Sequence, residues 1–298
     1  MAVRIGFLGF GEVGQRFASD LRAAGADRVL GAFDLLLHQA AAGEGMRRHA
    51  ATQRVEPRPD VAALTQSADL IFSAVTADQT RGAARSLCAR PLDGTWVIDL
   101  NSAAPATKIE CAALIAAAGG RYVEAAVMTS VPPHGIRVPM LLGGAHAAAA
   151  ERVLRELGFV VRTVSAELGI ASAIKLCRSV VIKGLEALVI ESFSAARKLG
   201  VEQQVLESLT ETYPQFDWEK QGDYLFSRVI QHGQRRAEEM RASAAMIDAS
   251  GVGGVMAAAI AQRQDSVAQL RAADVFKDPA VVRPWRDRAD EMGTFLVS

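Results

Sequence analysis

Between residues 5 and 14 the chain reads Ile5-Gly-Phe-Leu-Gly9-Phe10-Gly11-Glu12-Val13-Gly14. A short hydrophobic run ends in three glycines spaced G-x-G-x-x-G, and an amphipathic segment, 13–24, follows. In a strand–turn–helix unit each glycine has its own reason. Gly9 permits the tight turn, Gly11 lets a pyrophosphate approach the backbone, and Gly14 allows the helix to pack close to the strand. The helix start then offers free N–H groups and the positive end of its dipole to phosphate. Phe10, Glu12 and Val13 complete that cofactor loop. A chance cluster is the rival explanation in a chain with 25 glycines, but the placement directly after a strand speaks against it.

The rest of the first half fits such a unit. Short β-branched runs at 3–8, 29–33, 70–75, 96–100, 122–127, 140–142 and 159–164 alternate with helical stretches at 13–24, 80–89, 106–118 and 147–157. Alternation of this kind implies right-handed βαβ units and a mainly parallel sheet buried on both faces. From about Glu167 the strands stop and helical periods take over, at 167–199, 201–212, 222–230, 234–249, 255–272 and 285–295. The fold class is therefore α/β: a Rossmann-type sheet over 1–166, then an all-α domain over 167–298. The 167–199 helix, roughly 45–50 Å at 1.5 Å per residue, bridges the two.

Asp34 closes the second strand, 25 residues after Gly9. A carboxylate at that place hydrogen-bonds the adenosine ribose; alternatively it caps the helix that follows. Leu35, Leu36, Leu37 and His38 come next, with no arginine to grip a 2′-phosphate. NAD is the expected cofactor and NADP the alternative. Arg47 and Arg48 lie further along and read as solvated.

Four blocks, in order, resemble the beta-hydroxyacid dehydrogenase family, which includes 3-hydroxyisobutyrate and 6-phosphogluconate dehydrogenases. They are IGFLGFGEVG at 5–14, DLNSAAP at 99–105, VEAAVMTS at 123–130 and GIASAIKLCRS at 169–179. The last is similar to the family's G-x-x-x-x-x-K-x-x-N-N motif, and it places Lys175 on the catalytic lysine. The resemblance implies hydride transfer between a nicotinamide cofactor and a small 3-hydroxy acid or its carbonyl counterpart. A desolvated lysine suits the accompanying proton transfer, since its pKa can fall towards neutrality. Asn101, Ser102, Val75 and Thr76 are implied at the nicotinamide, although Asn101 and Ser102 can equally cap the helix opened by Pro105.

Two blocks depart from the family pattern. Met128-Thr129-Ser130 stands where the family has Ser-Gly-Gly, with Glu124 for Asp, so hydroxyls replace backbone donors and the pocket becomes larger and more apolar. Ser179, one turn beyond Lys175, replaces the usual Asn. With Ser130 it is expected to orient the substrate in a cleft between the domains, where Arg178 either clamps a substrate carboxylate or simply caps a surface. In the helical domain, His232, Arg235, Arg236, Glu238 and Glu239 lie within eight residues. His232 and Arg236 are candidates for an acidic substrate group; i,i+3 and i,i+4 pairs such as Arg235–Glu238 and Arg235–Glu239 are the ordinary alternative. A Lys183–Glu186 pair is expected on the long helix. An imine-reducing relative is a rival reading, against which the retained Lys175 argues. A non-catalytic dinucleotide sensor is another.

Composition narrows the partners. Lys+Arg and Asp+Glu are 33 each, so the formal net charge is zero, which argues against a main partner that is nucleic acid or an anionic membrane. No apolar run reaches the length of a membrane helix, and no cleavage site follows the first strand. Three scattered cysteines and five scattered histidines form neither a disulfide framework nor a metal set. A cytoplasmic protein with reduced thiols is the expectation, and the resemblance implies a homodimer paired through the C-terminal helices.

Overall fold

The structure, a computed structural model, describes residues 3–25 and 30–295. Val29, read above as the start of a strand, lies outside the described residues. The first half runs β1 (Ile5–Leu8), α1 (Glu12–Ala24), β2 (Leu30–Phe33), α2 (Glu44–Thr52), β3 (Val55–Pro57), α3 (Val61–Ser67), β4 (Leu70–Ser73), α4 (Thr80–Leu87), β5 (Trp96–Asp99), α5 (Pro105–Ala117), β6 (Arg121–Val127), β7 (Met140–Gly143), α6 (Ala147–Glu156) and β8 (Val161–Ser165). Among the described residues these strands form one eight-stranded sheet in the order β3-β2-β1-β4-β5-β6-β7-β8. Only β6 and β7 pair antiparallel.

Every residue of β1 and β4 is buried, as expected of strands covered by helices on both faces. One face packs on a phenylalanine cluster in which Phe159 lies 5.1 Å, centroid to centroid, from both Phe17 and Phe72. Leu64, Ile71, Leu87, Val97 and Ile115 fill the other face. Strand β3 escapes sequence reading because only Val55 of its three residues is buried. Its Pro57, which cannot donate to a ladder, fits the sheet edge it occupies. Helices α2 and α3 were likewise not anticipated.

The second half is helical: α7 (Ile170–Leu199), α8 (Glu202–Thr212), α9 (Trp218–Ala249), α10 (Val255–Ala272) and α11 (Trp285–Phe295). The chain divides into two compact units, 1–175 and 176–298, so the first turns of α7 belong with the sheet. None of the described helices is long and apolar enough to cross a membrane. The expectation of separate helices at 222–230 and 234–249 is corrected: α9 is continuous through Gly233. A Cβ there would stand 2.8 Å from the Gln264 carbonyl oxygen and 3.2 Å from the Ala268 methyl. That glycine serves close packing of α9 on α10 and does not break the helix.

The sheet unit also buries a charged pair that no local pattern announces. Asp99, at the end of β5, and Lys108, on α5, are 2% and 1% exposed and lie 2.9 Å apart. The Asp99 carboxylate also accepts the Tyr122 hydroxyl at 2.6 Å and the Asn101 N–H at 2.9 Å. Burial, and then the Asp99 charge, push the Tyr122 hydroxyl well above its usual pKa. Removing one partner of such a pair strands a desolvated charge, at a cost of about 3–5 kcal/mol. Asp99→Asn should therefore lower unfolding free energy by that amount in denaturant titrations. The Asp99→Asn, Lys108→Met double variant should lose less than Asp99→Asn alone; losses that simply add would contradict the pairing.

Candidate dinucleotide and catalytic site

Strands β2, β1, β4, β5 and β6 run parallel, so their carboxyl ends share one edge. The order reverses beside β1, and at such a switch point the loops part to leave a crevice. Gly9 leaves β1 with φ of +88° and donates to the Phe33 carbonyl at 2.9 Å. A Cβ on Gly9 would fall 2.5 Å from the Ala74 carbonyl oxygen, and one on Gly14 would fall 2.7 Å from the Gly9 carbonyl oxygen. Both close approaches hold the loop flat on the sheet. Gly11 differs: nothing lies within 4 Å of a Cβ built on it. It is the N-cap of α1, and no side chain caps that helix. The backbone at Gly11 is thus open where α1 begins with its free N–H groups and positive dipole end, and half-buried Val13 and exposed Glu12 lie on its first turn. These residues fit the pyrophosphate of a dinucleotide.

Asp34 fills one of the two roles that its sequence left open, the cap, and adds a tie to the glycine loop. One carboxylate oxygen accepts the Leu36 N–H at 2.9 Å, capping the short 3-10 turn Leu35–His38, and the other accepts the Phe10 N–H at 2.7 Å. The carboxylate thus ties the glycine loop to the end of β2, while each oxygen keeps a lone pair for a ribose hydroxyl. Arg47 is half-buried and donates to the carbonyls of Leu37, Gln39 and Ala40. This corrects the reading of Arg47 as solvated, because its guanidinium closes the loop after β2.

Asn101 is 6% exposed and spends its amide internally. Its Oδ1 accepts the Val75 N–H at 2.8 Å and its Nδ2 donates to Ser73 Oγ at 3.1 Å. The loops after β4 and β5 are thereby locked together, with half-buried Val75, exposed Thr76 and half-buried Ser102 presented at the edge. Lys175 Nζ donates to Ser102 Oγ at 2.5 Å. Half-buried Met128 and exposed Thr129 and Ser130 follow β6 at the same edge.

One contact went unforeseen. Glu124 is fully buried in β6, and its carboxylate accepts Gly169 N–H, Ala171 N–H and the Ser172 hydroxyl. A lone acid in the apolar run Val123-Glu124-Ala125-Ala126 was the available signal, since a charge there requires buried donors.

Arg178, exposed, and Ser179, buried, lie on α7 in the helical unit, which has its own polar core. There Lys183 pairs with Glu239 at 2.6 Å and Arg236 with Glu186 at 3.2 Å, while Gln264 donates to Glu186 at 3.2 Å. The expected Lys183–Glu186 pair is corrected: these α7 charges reach across to α9 instead of along their own helix. Burial lowers His232 to about 4, helped by the charges of Arg228, Arg235, Arg236 and Arg271, so its ring is neutral at physiological pH. Burial also lowers Arg236 and raises Glu186.

Comparison with known proteins agrees with this architecture. The family model described as the NAD binding domain of 6-phosphogluconate dehydrogenase matches residues 4–165, and a domain of unknown function, DUF1932, matches 196–267. A conserved hypothetical protein from Sinorhizobium meliloti 1021 is 36% identical, with 99% of this chain and 97% of that one covered and a TM-score of 0.78. A conserved protein of unknown function, whose structure is reported to reveal similarity with 3-hydroxyacid dehydrogenases, is 30% identical over 91% of this chain and 98% of its own, with a TM-score of 0.71. The 3-hydroxyisobutyrate dehydrogenase of Mycobacterium tuberculosis, solved with L-serine, shares the fold at 20% identity, 98% and 99% coverage and a TM-score of 0.70. With more than half its length matched by one family model, the chain belongs to the family of the NAD binding domain of 6-phosphogluconate dehydrogenase.

Proposed function

We propose that this chain is an NAD-dependent oxidoreductase that interconverts a small 3-hydroxy acid and its carbonyl counterpart, with Lys175 as general acid and base. The observation that carries the reading is the Lys175 amine, held 2.5 Å from Ser102 Oγ at the sheet edge that also carries the glycine loop. The bound nicotinamide supplies the hydride chemistry. The chain's own residues do the rest. Gly11 and the first turn of α1 bind the phosphates, and Asp34 accepts hydroxyls of the adenosine ribose. Lys175 takes the hydroxyl proton on oxidation and returns it on reduction. Thr129 and Ser130 offer hydroxyl donors to the acid, and Met128 presents an apolar surface to the substrate's side chain.

The lysine role is tested by Lys175→Ala. Turnover across a panel of 3-hydroxy acids graded in side-chain size should fall by ~10²–10⁴-fold, with NADH affinity held. A variant as active as the wild type would refute the role. A wild type that binds NADH and turns over no member of the panel would instead favour the non-catalytic sensor.

Cofactor choice is tested by Asp34→Asn, which removes the charge opposing a 2′-phosphate but keeps an oxygen for a loop N–H. The wild type should bind NAD more tightly than NADP. The variant should narrow that preference by about tenfold, or about 1.4 kcal/mol, in calorimetric titrations. An unchanged ratio would exclude Asp34 from the ribose contact.

A further inference from the structure

The three donors that Glu124 accepts all belong to the start of α7. Gly169 N–H and Ala171 N–H reach one oxygen at 2.8 Å and 3.1 Å, and Ser172 Oγ reaches the other at 2.5 Å. The first N–H groups of a helix have no partner within the helix, and here a carboxylate from the middle of the sheet supplies one. Its negative charge also matches the positive end of the helix dipole. Room has been made for it: a Cβ on Gly143, the cross-strand neighbour of Glu124, would stand 2.3 Å from Glu124 Oε1. A second clamp acts at the same turn. Gly169 has φ of +91°, and a Cβ there would lie 2.9 Å from the Pro105 Cβ, three residues beyond Ser102.

Lys175 is the next turn on the same helix, four residues beyond Ala171 and three beyond Ser172. Helical residues are spaced by about 100°, so rotating the first turn moves every side chain after it. The place of the Lys175 amine on Ser102 thus depends on how that turn is anchored. We propose that Glu124 is a positioning residue: its buried carboxylate sets the phase of the first turn of α7 and so holds the Lys175 amine against Ser102. The proposal rests on the reading of Lys175 as the proton carrier. It adds that an acid distant in sequence, with no substrate contact of its own, sets the geometry of proton transfer.

The test compares Glu124→Ala, Glu124→Gln and Lys175→Ala for kcat, NADH affinity and the NMR resonance of the Lys175 amine, which is assigned by its loss in Lys175→Ala. Glu124→Ala should lower kcat about ten- to a hundredfold, the scale of a misplaced reacting group, with NADH affinity unchanged and the amine resonance shifted. Glu124→Gln retains an oxygen for the two N–H groups; it should recover kcat to within about threefold of wild type and the wild-type resonance. Glu124→Ala with wild-type kcat and an unshifted resonance would overturn the proposal. So would equal losses of kcat and NADH affinity, which mark a general structural defect. If Glu124→Ala does not fold, Ser172→Ala removes one donor and should shift the resonance and lower kcat; no change in either overturns the proposal. Failure of the lysine reading is distinguishable, because Lys175→Ala would then be active whatever the Glu124 variants do.

Discussion

The carboxylate of Asp99 is the point from which the carboxyl edge of the sheet is organised. It is buried against Lys108, and it holds the Asn101 N–H and the Tyr122 hydroxyl. Asn101, fixed in this way, passes the order on: its side chain holds the Val75 N–H and Ser73 Oγ. Ser102, the next residue, receives the Lys175 amine. An ion pair with both members desolvated is poor value as a stabiliser compared with apolar packing. Its use here is directional, because hydrogen bonds fix loops where dispersion contacts do not.

Asp34 and Glu124 repeat the device at the neighbouring strands. Each turns one oxygen onto backbone N–H groups of a segment far away in sequence, Phe10 for the first and Gly169 with Ala171 for the second. A carboxylate acceptor makes stronger hydrogen bonds than a neutral one. Three acids therefore hold the glycine loop, the loops after β4 and β5, and the start of α7. They are part of how a chain with no net charge prepares a place for anions. The positive end of α1 follows the loop that Asp34 ties down, and the Lys175 amine donates to Ser102.

What could be read from the sequence was what is local. The strand–glycine–helix unit at 5–14 carries its own spacing, and the alternation up to about 165 carries the parallel sheet. Both elements appear where periodicity put them. The misread parts depend on partners that spacing does not reveal. Gly233 resembles a helix breaker until Gln264 and Ala268 are seen beside it. Lys183 and Glu186 look like a pair until α9 offers Glu239 and Arg236. Glu124 stood out as a departure from a family pattern and as a lone acid in an apolar run, but its donors lie more than forty residues away and could not be named. Strand β3 had too little apolar content to signal itself.

The central claim is that the glycine loop and Lys175 serve one reaction centre at the carboxyl edge. A crystal structure of the protein with NADH and a 3-hydroxy acid tests it most directly. The account predicts the pyrophosphate over Gly11 at the start of α1, ribose hydroxyls on Asp34, and the Lys175 amine within hydrogen-bonding reach of both Ser102 and the substrate hydroxyl. A dinucleotide bound away from Gly11, or a substrate hydroxyl out of reach of Lys175, would contradict it.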